Sequence, residues 1–462
     1  MKKKFLSVLL ATTMVATLLA GCGNKNSETT TEKTDNKKTE STTNTDTSST
    51  ESEGKVLNCY VWNEEFKTRV TDHYPGYEKI DATTGKIGDV TVKWNITPSD
   101  DLAYQNNLDN TLLKQNDAAA DDKIDLFLIE ADYAKKYITT DYCMNISDLG
   151  ITTDDTKNQY KYTQDVVTNY DGELKALSWQ AAPGVLFYNR NVAKEVLGTE
   201  EPDEVQPYVC DWDTFLKTAD TMKAKGYKMV SSVNDTYRVY SNNVTSKWVV
   251  DGKINIDDNI KKWVDDSKKL VDAGETSTFE LWGDDWKKGF YDEGKVFCYF
   301  GPTWLLDFCM AGDVEGSVAN QGRWGAVTGP QGFYWGGTWI CAATGTDNAS
   351  LVKDIMLKLT CDEDVMLDIC KAKSDFVNNK PAMDKMAADT TYSVAFLGGQ
   401  NPMGMYCTGV KKIDLSNQTP YDQACTEEFQ GAMKEYFDGN TDYQGALDLF
   451  DKAVHEKHPD LK

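Results

Sequence analysis

Tryptophan, carboxylate and amide side chains recur where predicted strands end or where glycine and proline interrupt the chain. The tryptophans are Trp62, Trp179, Trp304, Trp335 and Trp339. Near equivalent places stand the acids and amides Asn63, Glu64, Glu130, Asp132, Gln180, Gln400 and Asn401. An indole buries an apolar face at low entropy cost, while carboxylates and planar amides grip paired hydroxyls. These residue types suit a ligand with a C–H face and an edge of hydroxyls, such as a pyranose.

The segment WGDDWKKGFYDEG adds two tryptophans four residues apart on a predicted helix face. We expect one of the two, Trp282 or Trp286, to pack in the core while the other reaches the ligand together with Asp284. Trp282 and Asp284 are therefore candidate binding residues. Trp94, Trp212 and Trp263 instead occupy apolar positions of predicted strands and helices, so we expect them in the core.

The same acids invite an enzymatic interpretation, because two carboxylates about 5 to 9.5 Å apart make a glycosidase. No stretch sets a lone acid in the apolar surroundings that would raise its pKa for that role. A Ser-His nucleophile and a zinc site have little support, because the histidines are only His73, His455 and His458 and none stands at ligand spacing from other metal-binding residues. A phosphate-binding site has little support because no glycine-rich loop follows a predicted strand. We expect neither catalysis nor a cofactor.

Three predicted strands position the candidate residues. KVLNCYV alternates apolar and polar residues before Trp62, DVTVKWNI alternates again, and LFLI is a continuous apolar run before Glu130. Helical patterns lie between them, so the order predicts a largely parallel sheet flanked by helices. Ligands gather at the carboxyl ends of such strands.

Two later segments predict capped helices, and a third predicts an interrupted strand. Asp211 caps a helix that ends near Gly226, and a similar pattern ends at Gly274. In LSWQAAPGVLFYN, alternation from Leu177 to Phe187 is broken by Pro183 and Gly184. The alternative interpretation of this stretch is a bulged edge strand with Trp179 in the core.

The first 54 residues predict export and anchoring. Residues 1–21 carry lysines and an apolar run of secretory type, and LAGC at the end of the run resembles a bacterial lipobox with Cys22 as the lipidated residue. Residues 22–54 are rich in Ser and Thr and lack large apolar residues after Cys22, so we expect a disordered tether. The lipid is the expected attachment to the membrane.

Residues 55–462 are too many for one hydrophobic core and predict two or more lobes. The chain has a formal net charge of −24, which disfavours nucleic acid and anionic lipid as partners. Its cysteines include none in a CxxC pair, and several stand in apolar contexts typical of small core residues. Oxidation of some pairs in an exported chain stays open.

The order of four segments resembles the extracellular solute-binding lipoproteins of carbohydrate importers. The segments are GELKALSWQAAPGVLFYNRN, DWDTFLKTADTMKAKG, FYDEGKVFCYFGPTW and FYWGGTWICAATGTDN. They are similar, in the same order, to the family's first interlobe crossing, Trp-containing helix, Gly-Pro-Trp segment and Gly-Gly crossing. The chain departs from the maltodextrin-binding branch at Ala182, where that branch carries a carboxylate, and at Thr303, which lengthens Gly-Pro-Trp.

The resemblance implies a two-lobed periplasmic-binding-protein-like fold of type II, with mostly parallel sheets and lobes joined by crossings. The implied lobes are residues 55–181 with 336–376, and residues 182–335 with 377–462. It further implies a monomeric receptor on the extracellular face of a Gram-positive cell membrane, which binds an oligosaccharide in the interlobe cleft and delivers it to the permease subunits of an ABC importer.

Two alternatives to the sugar receptor stay open at this point. The acidic surface and long tether are compatible with an adhesion or docking lipoprotein that binds a macromolecule. Within the receptor class, a polyamine or a peptide is the alternative ligand, since aromatic residues with carboxylates also bind cations.

Overall fold

The computed structural model describes residues 54–311 and 316–462, which lie in one compact unit of the chain. The predicted signal peptide, the lipidation site Cys22 and the tether up to residue 53 lie outside the described residues. Within the described ranges, none of the helices combines the length and the apolar character that a membrane span requires.

The strands form two main sheets and one small hairpin. They are β1 Val56–Val61, β2 Tyr77–Lys79, β3 Thr84–Ile87, β4 Val90–Ile96, β5 Leu126–Glu130, β6 Pro183–Asn189, β7 Lys228–Val230, β8 Val249–Val250, β9 Lys253–Ile254, β10 Val296–Gly301, β11 Trp324–Val327, β12 Phe333–Tyr334 and β13 Thr338–Ala342.

The first sheet has six strands in the order β13-β5-β1-β4-β3-β2. Its centre is parallel, with Cys59 of β1 opposite Leu126 of β5 and Trp94 of β4. Because β1 and β5 run in the same direction, the residues that follow them emerge at one edge of the sheet. Strand β13 returns antiparallel and sets Thr338 opposite Glu130.

The second sheet has the order β11-β6-β10-β7, with β12 also paired to β6. Each sheet carries its own helices, so the predicted two-lobed α/β class is confirmed. The expectation of mostly parallel sheets needs correction, because only β1 with β4, β1 with β5 and β7 with β10 pair in parallel among the described sheet strands. The pairs β2 with β3, β3 with β4 and β8 with β9 are hairpins. The antiparallel pairs of β6 with β10, β11 and β12, and of β5 with β13, join strands that are far apart in the sequence.

The α-helices are α1 Glu65–His73, α2 Ala103–Leu112, α3 Ala134–Ile138, α4 Lys161–Val166, α5 Arg190–Leu197, α6 Pro202–Val205, α7 Trp212–Ala224, α8 Asn234–Ser241, α9 Asp258–Ala273, α10 Asp284–Lys287, α11 Ala349–Thr360, α12 Glu363–Lys373, α13 Lys380–Ala388, α14 Met403–Gly409, α15 Asp422–Phe437 and α16 Tyr443–Lys457. Short 3₁₀ turns cover Asp100–Leu102, Gln115–Asp117, Ala120–Asp122, Ala131–Tyr133, Gln206–Tyr208, Lys288–Phe290, Asp292–Gly294, Ala395–Leu397 and Val410–Lys412, and a π-helix covers Leu305–Ala311.

The predicted helix boundaries at α7 and α9 are confirmed. An oxygen of Asp211 accepts from the backbone N–H of Thr214 at 2.7 Å, which caps α7 as expected. Helix α9 ends at Gly274, whose φ of 71° lies in the left-handed region. The helix predicted for the segment WGDDWKKGFYDEG is instead split into α10 and two 3₁₀ turns.

The chain passes between the sheets at residues 175–182, at residues 335–337 and at residues 374–379. The first passage differs from the prediction, since Pro183 and Gly184 begin β6 and the backbone turns at Ala182, whose φ is 46°. A side chain at Gly184 would collide with the Phe333 ring, with a Cβ 2.1 Å from its Cζ. Glycine is therefore required there for the pairing of β6 with β12.

The core contains the tryptophans predicted for it. Trp94, Trp212 and Trp263 are buried, and Trp212 stacks on Tyr240 with ring centroids 4.1 Å apart. Cys298 and Cys341 are buried small residues, as their apolar contexts predicted, and the cysteines of the described residues are free thiols.

Candidate ligand-binding cleft

A cavity of about 540 Å³ lies between the carboxyl edge of the first sheet and the helices of the second. Eight of the predicted binding residues line it: Trp62, Asn63, Glu130, Asp132, Gln180, Trp282, Trp304 and Trp335. The fold explains why they meet. Trp62 and Glu130 stand at the ends of the parallel neighbours β1 and β5, and Trp335 stands in the second passage between the sheets.

Three indoles form one wall of the cavity, which we call the tryptophan wall: Trp282, Trp304 and Trp335. The ring centroids are 5.4 Å apart for Trp304 and Trp335, and 5.8 Å for Trp282 and Trp335. Trp282 is 45% exposed and has a φ of 72°, an uncommon backbone conformation for a bulky residue. Strained residues of this kind cluster at functional sites.

Of the two tryptophans on the predicted helix face, Trp282 reaches the cavity and Trp286 is fully buried. The Trp286 indole donates from Nε1 to Oδ1 of Asp235 at 2.6 Å and meets the Trp282 ring edge to face. Asp284, predicted beside them, is exposed at the start of α10 and does not line the cavity. The prediction that Asp284 reaches the ligand therefore needs correction, because the short helix turns this carboxylate toward solvent.

Gly336 brings the tryptophan wall close to a carboxylate. A Cβ at this position would lie 3.2 Å from Oε1 of Glu130 and 3.4 Å from Cζ2 of Trp304. Oε2 of Glu130 accepts from the backbone N–H of Asp132 at 2.6 Å. Burial raises the pKa of Glu130 to about 8, and the charge of Asp132 adds to this while Arg238 acts against it.

A second acid of the cavity, Glu65, belongs to a network at its base. Oε1 of Glu65 accepts from Nε2 of Gln180 at 2.7 Å and lies 3.6 Å from a guanidinium nitrogen of Arg69. Arg69 also pairs with Asp375 at 3.5 Å, and Asp375 accepts from the Thr303 hydroxyl at 3.1 Å. Burial raises the pKa of Glu65 to about 7, although Arg69 opposes the shift.

Asp132 and Arg238 form a two-pronged ion pair in the cavity wall. Nη1 of Arg238 donates to Oδ1 of Asp132 at 2.7 Å, and Nη2 donates to Oδ2. Asp132 lies in the turn after β5 of the first sheet, whereas Arg238 lies on α8, which packs against β10 and β12 of the second. The pair therefore bridges the two lobes directly.

The structure corrects the positions of two predicted tryptophans. Trp179 is completely buried and stacks on Phe66 with centroids 5.3 Å apart, so the alternative interpretation, a core residue, describes it. Trp339 is buried as well, and its Nε1 donates to the carbonyl of Thr163 at 2.9 Å. Both rings lie under the first lobe's helices, which leaves no face for a ligand.

Three predicted polar residues also lie outside the cavity. Gln400 exchanges two hydrogen bonds with the backbone of Ala326, at 2.9 and 2.8 Å. Asn401 donates to the carbonyls of residues 386 and 389, at 2.9 and 3.1 Å. Glu64 is exposed, pairs with Lys67 at 2.6 Å and lines a smaller neighbouring pocket. These side chains satisfy the local backbone or solvent, so their predicted contact with the ligand is corrected.

Several lining residues were not predicted from the sequence. They fall on two helices, as Asn234, Tyr237 and Arg238 of α8 and Gln423, Thr426, Glu427 and Gln430 of α15. The spacing of three, four and seven residues puts each set on one helix face. In the sequence, each set is a polar stripe on a predicted helix, which could have indicated these lining residues. Such a stripe is equally typical of a helix face that contacts solvent. No group of His, Cys, Asp and Glu in the described ranges is arranged to hold a metal ion.

Two α/β lobes with an aromatic and polar cavity between them define the class of two-lobed binding proteins. The model of a family described as bacterial extracellular solute-binding protein matches residues 80–395, which is more than half of the chain. The chain therefore belongs to the bacterial extracellular solute-binding protein family. A comparison with curated protein sequences found no match.

Solved structures share this fold at low sequence identity. An ABC transporter associated binding protein from Bifidobacterium animalis subsp. lactis, in complex with β-1,6-galactobiose, has a TM-score of 0.66 and 18% identity, over 87% of this chain and 97% of its own. A galacto-N-biose-/lacto-N-biose I-binding protein from Bifidobacterium longum has a TM-score of 0.63 and 15% identity, over 87% of this chain and 96% of its own. The sugar-binding protein MalE from Xanthomonas citri has a TM-score of 0.62 and 12% identity, over 87% of this chain and 98% of its own.

Proposed function

We propose that this protein is a membrane-anchored receptor that binds an oligosaccharide in its cleft and delivers it to an ABC importer. The observation that carries the proposal is the tryptophan wall beside the carboxylate of Glu130, in a cavity of about 540 Å³. Indole faces cover the C–H face of a sugar ring, and the carboxylates and amides of the cavity suit its hydroxyls. The volume falls in the range of roughly 300–1,000 Å³ typical of small-molecule sites.

The comparisons support this ligand class by analogy. The proteins from the two Bifidobacterium species are named for ABC transporters and were solved with β-1,6-galactobiose and lacto-N-biose. The lipobox ending in Cys22 and the Ser/Thr-rich segment after it support a lipid anchor on the extracellular face of a Gram-positive cell membrane. We infer a monomer whose lobes are residues 55–181 with 336–376, and 182–335 with 377–462.

The proposal includes no catalysis. Glu65 and Glu130 are the buried acids of the cavity, and both have raised pKa values. A neutral carboxyl group donates a hydrogen bond and accepts another, which suits a sugar hydroxyl as well as it suits acid catalysis. The relatives named above are binding proteins, which favours the first role.

A second candidate ligand is a polyamine, because the charges of the cavity favour a cation. Four acids line the cavity, Glu65, Glu130, Asp132 and Glu427, against the single guanidinium of Arg238 among the described lining residues. An ammonium ligand would favour the ionised forms of Glu65 and Glu130. Aromatic faces near carboxylates attract ammonium groups. Binding of a polyamine would weaken steeply with salt, whereas binding of a neutral sugar would not.

Titration calorimetry of the full-length protein separates these candidates. The sugars are β-1,6-galactobiose, lacto-N-biose, maltose and acarbose, and spermidine is the cation. Saturable binding of a sugar that is recovered intact supports the proposal. Spermidine that binds more tightly than every sugar supports the second candidate, and hydrolysis of a sugar contradicts the absence of catalysis.

A further inference from the structure

We propose that Arg238 is a positioning residue that couples closure of the lobes to ligand binding through Asp132. We name this ion pair the interlobe clamp. Its effect on affinity rests on the proposed function, whereas its effect on closure does not. The clamp would hold the lobes together before a ligand arrives and would fix the carboxylate of Asp132 beside the ligand.

The two partners sit on rigid parts of different lobes. Asp132 is the second residue of the turn that follows β5, an interior strand of the first sheet. Arg238 lies on α8, whose N-terminus is held by Asp235. This buried carboxylate accepts from the backbone N–H of Ser232 at 2.8 Å and from Nε1 of Trp286 at 2.6 Å. Breaking the clamp would therefore remove a direct link between these two supports.

The same support ties the clamp to the tryptophan wall. Trp286, which holds Asp235, meets Trp282 edge to face with centroids 5.3 Å apart. Arg238 and Trp282 are therefore linked through Asp235 and Trp286, so a movement that brings the guanidinium to Asp132 would also carry Trp282 toward the first lobe. Closure and assembly of the ligand site are then a single event.

The clamp is shielded from water more than an ordinary surface pair. The side chain of Arg238 is 20% exposed and that of Asp132 is 33% exposed. Forked contacts between a guanidinium and a carboxylate are also the strongest geometry for such pairs. Glu130 and Asp422 are further acids near Arg238, and Lys135 is a further cation near Asp422. A ligand that fills the cavity would exclude more water and strengthen the clamp.

The protein offers a matched control for this clamp. Arg323 and Asp292 form another forked pair, at 2.9 and 2.7 Å, and both lie within the second lobe, away from the cavity. Arg323→Met removes the same kind of contact without a link to the first lobe. The test compares Arg238→Met, Asp132→Asn and Arg323→Met in the full-length protein.

Small-angle scattering of the proteins without ligand is the first measurement. We expect the radius of gyration to increase in Arg238→Met and Asp132→Asn and to stay unchanged in Arg323→Met. The double variant Asp132→Arg with Arg238→Asp, which restores an ion pair of opposite polarity, should return the protein to its compact form. Thermal midpoints show whether each variant is folded, and Asp132→Asn, with its nearly unchanged shape, covers the case in which Arg238→Met fails to fold.

Calorimetry with the tightest-binding sugar of the panel named above is the second measurement. Loss of one partner of a close charge pair should weaken binding roughly thirty-fold to a few thousand-fold. Unchanged scattering in both single variants overturns the proposal, and so does weaker binding without expansion. If the wild-type protein binds none of the sugars, the proposed function fails. The scattering measurement still shows whether the clamp holds the lobes together.

Discussion

The indole nitrogen of Trp304 donates a hydrogen bond of 3.1 Å to the backbone carbonyl of Trp335. The two rings are held edge to face at 70° by this bond as well as by packing. Because the bond crosses from β10's end to the second passage between the sheets, the indoles keep their arrangement without a ligand. A preformed surface of this kind loses little side-chain entropy when a ligand binds.

Trp304→Ala is expected to remove sugar binding almost completely. Truncation of an aromatic anchor costs about 2 to 4 kcal/mol, so affinity should fall roughly thirty-fold to a thousand-fold in calorimetry. The thermal midpoint should change little, because the ring is partly solvated. Trp212→Ala is the control, since that indole stacks in the core and its loss should lower stability but not affinity. If Trp304→Ala lowers stability but not affinity, and Trp212→Ala lowers affinity but not stability, Trp304 does not contact the ligand.

Trp179→Ala is expected to destabilise the fold. The ring is completely buried against Phe66, and truncation of a buried aromatic residue costs about 3 to 5 kcal/mol in unfolding free energy. Denaturant unfolding measures this loss. Trp282→Ala, at an exposed ring with a left-handed backbone, should leave the unfolding free energy nearly unchanged while it weakens binding. Equal stability of Trp179→Ala and the wild type would contradict the buried position.

Gly336→Ala is expected to weaken binding beyond its cost in stability. Gly336 has a φ of 66°, and its Cβ would press on Glu130 and Trp304. Gly345→Ala is the matched control, because Gly345 has a φ of 82° and open space around it. Both changes should cost about 1 to 2 kcal/mol in unfolding free energy through backbone strain. Only Gly336→Ala should also reduce affinity, and equal affinities would show that no ligand approaches this glycine.

The stability of the protein is expected to fall as pH rises from about 5 to about 8. An unfolded glutamate ionises near pH 4.3, whereas folded Glu130 keeps its proton up to about 8 and Glu65 up to about 7. Between these values the folded state binds more protons than the unfolded state, so the unfolding free energy decreases with pH. Asp235 and Asp422, with pKa values raised by burial to about 7, act in the same direction.

Thermal midpoints at a series of pH values test this dependence. Glu130→Gln should flatten the decrease between about pH 5 and pH 8, where folded Glu130 keeps a proton that the unfolded chain has lost. The effect should be clearest between about pH 7 and pH 8, above the pKa values of Glu65, Asp235 and Asp422. Glu64→Gln is the control, because that side chain is exposed and pairs only with Lys67 among its described contacts. If Glu130→Gln leaves the dependence of the thermal midpoint on pH unchanged, a group other than Glu130 causes the decrease in stability.

Cys22→Ala is expected to release the protein from the membrane. If the thiol of Cys22 carries the lipid, its loss removes the acyl chains on which stable anchoring depends. Cell fractionation should then move the protein from the membrane fraction to the medium. Cys210→Ala, at an exposed thiol of the folded body, is the control and should stay with the membrane. Retention of Cys22→Ala in the membrane fraction would refute the lipobox assignment.

Strand periodicity located the part of the cleft that the first sheet builds. Trp62 and Glu130 follow strands whose apolar patterns are plain in the sequence, and parallel neighbours bring such residues together. Trp179 shows where this logic fails. Its place just before the interruption at Pro183 and Gly184 favoured a position in the cleft, yet the passage runs beneath α1 and every residue from 176 to 182 is buried. Alternation cannot reveal a segment that is covered on both sides.

The helical side of the cleft was missed for a different reason. Arg238 and Gln430 lie on polar faces of amphipathic helices, and such faces usually contact solvent. Only the packing of α8 and α15 around the cavity distinguishes these faces. Gln400 and Asn401 illustrate the opposite error, since amides in a loop most often satisfy nearby backbone groups. Tertiary packing decides both cases, and a local pattern does not contain it.

The passages between the sheets are hydrogen-bonded to one another. The backbone N–H of Ala181 donates to the carbonyl of Phe376 at 3.1 Å, and that of Trp335 donates to the carbonyl of Ala182 at 3.3 Å. Segments joined by such hydrogen bonds bend together and resist sliding past each other. We therefore expect the lobes to move relative to each other mainly by a rotation about these joined segments. Loss of the bond between Ala181 and Phe376 should add twisting of one lobe against the other while the residues that line the cleft stay unchanged.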